Sequence, residues 1–487
     1  MPSDLYTKLL QAGPKEEAEG KESLKQRLWT ETKKLWIVAG PAIFTRFSTF
    51  GISVISQAFI GHIGSTELAA YALVSTVLFR FCNGILLGMS SALETLCGQA
   101  YGARQHHMLG IYLQRSWIVL ILSAVLLLPI YIFTTPLLLL LGQAEAVAAV
   151  AGTISLWFIP VTFSNIFSYT FQMYLQAQSK NSVIAYLAAA SLAIHVFLSW
   201  LLTVKLQLGV GGAMASMILA FWIPNFGQMA FVLCGGCPET WKGFSVAAFK
   251  DLFPVVKLSL SSGVMLCLEL WYNTILVLLT GHMKDAEVAI DALSICLNIN
   301  GWEMMISFGF LAAASVRISN ELGRGSAKAA KFAVVVTVAT SLLIGSVLFV
   351  MFLLFRGRVA YIFTESPEVA RAVAYLSPLL AFSILLNSVQ PVLSGVAVGA
   401  GWQSVVAYVN ISCYYLIGIP LGAVLGYAIG LHVTGVWIGM LVGTLAQTVV
   451  LVLITWRTDW DKQVDLAASR VKKWVLPGDE SSRNQQA

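Results

Sequence analysis

Twelve long apolar stretches, separated by short polar breaks, set the limits on this fold. Their approximate bounds are 35–60, 68–97, 109–134, 144–174, 183–204, 210–235, 255–281, 287–318, 330–355, 370–399, 404–428 and 433–456. A helix needs about 20 mostly apolar residues to cross roughly 30 Å of hydrocarbon, and each stretch is long enough. Lipid offers the backbone no hydrogen bonds, so only helices and closed barrels span it. The period-two alternation of a membrane barrel is absent. Composition agrees: 57% of the 487 residues are hydrophobic and 11% are charged, against about 25% charged in a soluble domain. The chain reads as an all-α membrane protein with twelve transmembrane helices.

The basic residues predict its orientation. The 30 Lys and Arg fall mostly in the two terminal segments and the even-to-odd loops. Only Lys205, Lys284, Arg356, Arg358 and Arg371 fall on the opposite side, and Arg46, Arg80 and Arg115 lie inside spans. The positive-inside rule places both termini in the cytosol. The net charge of +6 gives no reason to expect nucleic acid as a partner. The first 34 residues hold no apolar core of a signal peptide, so the first span is expected to direct insertion.

The two halves resemble each other. Gly61-His62, Glu67, Ala69 and Ala72-Leu73 recur as Gly281-His282, Glu287, Ala289 and Ala292-Leu293. Ser182-Val183-Ile184-Ala185-Tyr186 returns as Ser404-Val405-Val406-Ala407-Tyr408, and Leu208-x-Val210-x-Gly212 as Leu431-x-Val433-x-Gly435. A unit of six spans repeats in the same orientation, which predicts two pseudo-symmetric six-helix lobes around a central cleft. The expected organisation is a cytosolic tail at 1–34, a first lobe at 35–236, a linker at 237–254, a second lobe at 255–456 and a cytosolic tail at 457–487. Two parallel lobes around a cleft suit alternating access, and so a transporter.

Polar groups at mid-membrane depth are costly and mark function. Glu269 lies midway along the seventh span and Glu303 midway along the eighth. Low dielectric favours the neutral form of a carboxyl group, which makes both candidate proton carriers. The structural alternative is a neutral Glu bonded to a neighbouring helix. Asn387 and Gln390 occupy the middle of the tenth span, followed by Pro391, which breaks the backbone ladder. Asn273 and Asn300 flank the two carboxyls. Trp271, Tyr272 and Trp302 offer rings on which a planar ligand could stack, with core packing as the alternative and the expected role for most such rings. In the first half, Arg46 and Arg80 are mid-membrane cations and Glu94 is a carboxyl near the cytosolic end of its span. One reading is a structural ion pair of either Arg with Glu94; the other is a cationic half-site for anionic or phenolic cargo. Pro41 is a candidate gating bend.

Other signals are sparse. Cys234-Gly-Gly-Cys237 has metal-site spacing but no second pair nearby, and the seven cysteines read as free thiols. No nucleotide-binding or hydrolytic motif occurs. Neither a cofactor nor a metal is expected, enzymatic chemistry is not indicated, and energy is expected from an ion gradient.

Several segments carry a family resemblance: Gln57-Ala58-Phe59-Ile60-Gly61-His62, Leu93-Glu94-Thr95-Leu96-Cys97-Gly98-Gln99-Ala100-Tyr101-Gly102-Ala103, Ala314-Ser315-Val316-Arg317-Ile318-Ser319-Asn320-Glu321-Leu322-Gly323, and Val392 to Gln403. They resemble signatures of plant multidrug and toxic compound extrusion (MATE) transporters, the DETOXIFICATION proteins. The likeness runs over about residues 25–475. It implies the MATE fold and a proton-coupled antiporter that moves organic compounds out of the cytosol. The resemblance places the family's seventh-helix carboxylate on Glu269. Asn387 stands where many plant members have Asp, so the proton load shifts to Glu269 and Glu303. Gln57, with Asn387, Gln390, Trp271, Tyr272, Asn273, Asn300, Trp302 and Arg46, completes the expected cargo-binding set. Pro41, Pro391, Glu94 and Arg80 form the expected gating and structural set. Expected cargo is planar and phenolic or glycosylated, such as flavonoid glycosides, and the expected partners are that cargo, protons and the lipid bilayer, for a monomer. The vacuolar membrane is the expected location and the plasma membrane the alternative. Rival functions are a sodium-coupled or multidrug cation exporter of the same fold and an uncoupled channel-like facilitator.

Overall fold

A computed structural model describes residues 23–281, 287–356 and 358–473. Lys284 and the outer parts of both tails lie outside the described residues. So does the repeat's His282, and the side chains from 281 to 291 are likewise outside.

Among the described residues, twelve helices are long and apolar enough to cross a membrane. The first lobe holds α1 (Leu24–Gly61), α2 (Ser65–Gly102), α3 (His106–Ile132), α4 (Glu145–Ala177), α5 (Asn181–Lys205) and α6 (Gly209–Gly236). The second holds α7 (Leu252–Gly281), α8 (Glu287–Arg324), α9 (Ala327–Phe355), α10 (Pro367–Ala400), α11 (Gln403–Ala428) and α12 (His432–Arg457). A final helix, α13 (Trp460–Lys473), lies beyond the last span.

Helix α1 starts eleven residues before its apolar stretch. Its start is fixed by Ser23, whose hydroxyl accepts from the Gln26 amide while the Gln26 side chain accepts from the Ser23 amide. This reciprocal cap satisfies two otherwise orphaned donors. Helix α13 was not foreseen within the tail. It turns Trp460, Ala467 and Val471 inward, Trp402 donates to Gln463 Oε1 at 2.9 Å, and Arg470 donates to the Ala400 carbonyl at 2.8 Å.

Proline removes a backbone donor and frees the carbonyl four residues earlier. In hydrocarbon that carbonyl needs another partner. Pro41 frees Ile37, whose carbonyl accepts from Asn181 Nδ2 of α5 at 3.1 Å. Pro224 frees Ala220, whose carbonyl accepts from the Ser191 hydroxyl, also of α5. At Pro391 the α10 helix breaks over Ser388–Val389, and Ser341 of α9 donates to the Ser388 carbonyl at 2.6 Å. Within α2 the backbone widens to a π-turn over Val74–Phe79, just before Arg80; such turns often accompany functional sites.

The lobes meet pseudo-symmetrically, α1 on α8 and α7 on α2. Close packing lies on the side where both described termini sit. Gly88 faces Gly263 so closely that a Cβ on Gly88 would sit 2.7 Å from the Gly263 Cα. Gly102 backs onto the Asn320 carbonyl and Gly323 onto the Gln99 carbonyl. Small residues let helix backbones approach in this way. Polar bonds secure the seam. Thr95 donates to the Val398 carbonyl at 2.5 Å, Gln99 to Gly399 at 3.0 Å and Asn320 to Ala177 at 3.2 Å. Arg317 donates to both Glu31 oxygens, at 2.8 and 3.0 Å, and to Glu321 at 2.7 Å.

Gly88→Leu should wedge this seam open. Transport in vesicles is expected to fall about tenfold or more, because overpacking a close backbone contact costs roughly 1–3 kcal/mol. Normal transport with normal expression would show that the close approach is dispensable.

Candidate functional site

One polar cluster lies in each lobe, and the first-lobe one lines a cavity that α7 and α8 help to wall. The second-lobe cluster gathers around the broken turn of α10. Glu269 of α7 and Glu303 of α8 are each 5% exposed. Glu269 Oε2 accepts from Ser394 at 3.5 Å, and Gln390 in turn donates to Ser394 Oγ at 3.2 Å. Glu303 Oε1 accepts from Ser307, one turn along, at 2.5 Å. Asn387 lies beside the Glu303 carboxyl and donates to Asn300 Oδ1 at 3.0 Å. The break at Pro391 thus lets one helix address both carboxyls, Asn387 toward α8 and Gln390–Ser394 toward α7.

Each carboxyl keeps one oxygen, Glu269 Oε1 and Glu303 Oε2, without a hydrogen-bond partner among the described residues. The described ion pairs involve Glu31, Glu239 and Glu321 instead. A buried carboxylate without a counter-charge is expensive. Chemically, each is a place where a small cation can bind and leave.

The structure brings Glu269, Glu303, Asn300, Asn387, Gln390 and Pro391 together, as the sequence suggested. It adds Ser307 and Ser394, each four residues after a residue already singled out, so helical spacing alone could have found them. The aromatic candidates scatter. Tyr272 is buried, stacked on Tyr414 with centroids 4.1 Å apart, and bonds the Met440 carbonyl at 2.9 Å. Trp271 stacks on Phe81 of the other lobe at 5.0 Å. Trp302 is half exposed, edge-on to Phe363. The side chain of Asn273 lies outside the described residues.

The first-lobe cluster lines a cavity of about 240 Å³. Arg46, Ser53, Asn83, Glu94, Asn165 and Tyr169 supply its polar wall. Asn83 Oδ1 accepts from Asn165 at 2.8 Å and from Tyr169 at 2.7 Å. Phe79, Phe221, Met305 and Phe308, the last two from α8, supply apolar surface. Glu94 is 4% exposed and its Oε2 has no described partner. Arg46 and Glu94 therefore share a cavity without closing an ion pair. Arg80 is exposed and does not line it. Gln57 lies elsewhere, with His62 and Leu68 at the far end of α1, and Pro41 lies within α1 nearer the sealed side. Asn83, Asn165 and Tyr169 escaped sequence reasoning, because each is unremarkable until α2 and α4 are packed together.

The seven cysteines are free thiols. Among the described residues no three His, Cys, Asp or Glu side chains group as metal ligands.

This arrangement has known counterparts. The MatE family model matches residues 41–201 and 262–424, one match in each lobe. The chain is 67% identical to Protein DETOXIFICATION 21 of Arabidopsis thaliana, over 93% of this chain and 92% of that protein. It is 63% identical to Protein DETOXIFICATION 20 of the same plant, over 95% and 94%. Among solved structures it is similar to the eukaryotic MATE transporter AtDTX14, with TM-score 0.86 and 32% identity over 91% of this chain and 99% of that one. A multidrug resistance MATE family transporter in an outward-facing conformation shares the fold at TM-score 0.74 and 17% identity, covering 90% and 97%. The chain belongs to the MATE family of transporters.

Proposed function

We propose that this transporter is a proton-coupled antiporter that exports organic compounds from the cytosol. The observation that carries this reading is the pair of buried, unpaired carboxyls, Glu269 and Glu303, tied to one broken helix. A proton bound there neutralises a buried charge, and its arrival or departure changes what Asn387, Gln390 and Ser394 bond. Any such change acts on α10, whose Thr95 and Gln99 contacts form part of the seam. A ligand shifts a conformational equilibrium only as far as it binds the two states differently. Protonation supplies that difference for one state and cargo for the other.

In this reading residues 35–236 and 255–456 are the moving lobes, joined by 237–254, and the protein works as a single chain. With both termini cytosolic, the described conformation is sealed toward the cytosol. It would receive protons and release cargo on the vacuolar or extracellular side, the vacuole being the favoured destination. Cargo is taken to be planar, phenolic or glycosylated, since a cation and aromatic rings line the cavity.

The test uses purified protein in liposomes with an imposed pH gradient. Cargo uptake should carry a stoichiometric proton flux, collapse with a protonophore and persist when sodium is replaced at fixed pH. Uptake that follows sodium instead would establish the sodium-coupled alternative, and uptake without counter-flux would indicate a facilitator.

A further inference from the structure

The first-lobe cavity carries more information about cargo than the general reading uses. Its single cation, Arg46, is not ion-paired to any described carboxylate, and its buried carboxyl, Glu94, keeps Oε2 unpartnered. A direct pair would have been the cheap solution to burying two opposite charges. The cavity instead holds them apart on its wall. Asn83 spends its carbonyl oxygen on Asn165 and Tyr169, which fixes its orientation and leaves its amide hydrogens as donors beside Arg46 on the same wall. Much of the remaining lining is apolar, with rings from Phe50, Phe79, Phe221 and Phe308.

We infer that this cavity is a binding site for a small aromatic anion that also carries a hydroxyl donor. The anionic group pairs with Arg46 and the Asn83 amide, the ring lies among the phenylalanines, and the hydroxyl donates to Glu94. Such a ligand completes the groups that the protein leaves open. Aromatic amines are disfavoured by Arg46, and anions without a donor leave Glu94 Oε2 unpartnered, Ser315 being beside the same carboxyl. A volume of about 240 Å³ favours one or two rings rather than a large glycoside, since drug-sized sites begin near 300 Å³. The inference rests on the proposed export function only in taking the interlobe space as the place where cargo sits.

Equilibrium titration calorimetry on the full-length protein in detergent, with no gradient, tests it directly. The probes are 4-hydroxybenzoate, benzoate and tyramine. We expect 4-hydroxybenzoate to bind about tenfold or more tightly than benzoate, because a donor to a charged acceptor is worth that much, and tyramine to give no heat. Arg46→Gln should weaken 4-hydroxybenzoate about tenfold or more, with Arg46→Lys partly restoring it. Glu94→Gln should erase the preference over benzoate. The ligand series on the unaltered protein decides the matter even if a variant folds poorly. Tyramine binding as tightly as the acid, no binding by any probe, or indifference to Arg46→Gln in a variant with normal melting would overturn the site. Because no pH gradient is present, binding as stated combined with absent proton-driven transport would refute the coupling and leave the site standing.

Discussion

Glu269→Gln should abolish transport driven by a pH gradient, by roughly 100-fold, about 2.7 kcal/mol of coupling, while the protein still folds and inserts. The substitution keeps the shape of the side chain and its bond to Ser394 but removes the titratable oxygen. The uncharged amide costs less to bury than a carboxylate, so the melting temperature should hold or rise. Glu303→Gln should also lower pH-driven transport, since that carboxyl too keeps an oxygen without a described partner. Asn387→Asp would place a second carboxyl beside Glu303 and is expected to change the number of protons moved per cargo. Liposome flux measurements at matched protein density separate these cases. Full pH-driven uptake by Glu269→Gln would end the coupling proposal.

The second large effect concerns Arg317. This buried guanidinium bridges Glu31 of one lobe and Glu321 of its own helix. Arg317→Met leaves Glu31 only Lys34, at 3.7 Å, and Glu321 only the more exposed Arg324, at 3.2 Å, so the loss should fall at the low end of the rule for broken buried pairs, about 3 kcal/mol. Melting in detergent should drop accordingly, and a cysteine substituted for Thr95 at the seam should become reactive to maleimide. Glu31→Gln is the milder change, because Glu321 stays with Arg317 when the lobes part. It should raise seam reactivity with little loss of melting temperature. Unchanged reactivity in both variants would remove this pair from the closure of the seam.

Much of the architecture was legible in the sequence because hydrocarbon is a demanding solvent. Twelve stretches and an internal repeat suffice for two lobes, and Pro391 announced the break in α10. The start of α1 was not legible from hydropathy. Residues 24–34 are polar and helical because Ser23 caps them and Arg27 and Glu31 bond across to Phe332 and Arg317. Helix α13 escaped for a related reason, since its apolar stripe is a single file of four residues, Trp460, Val464, Ala467 and Val471. At the site, depth in the membrane found Glu269, Glu303, Asn387 and Arg46. Depth says nothing about which way a ring faces, so Tyr272 proved to be packing against Tyr414. The Asn83–Asn165–Tyr169 cluster joins residues about eighty positions apart, and no local pattern encodes such a meeting.

The side chains that cover the proline carbonyls have a mechanical consequence. Asn181 and Ser191 both belong to α5, and they hold the weak points of α1 and α6. Helix α5 is thus a splint laid across two joints. Flexing α1 at Pro41 would first require Asn181 to let go of Ile37, so the first lobe should swing as one stiff lever. In the second lobe, bending at the Ser388–Val389 break asks only Ser341 of α9 to let go of the Ser388 carbonyl.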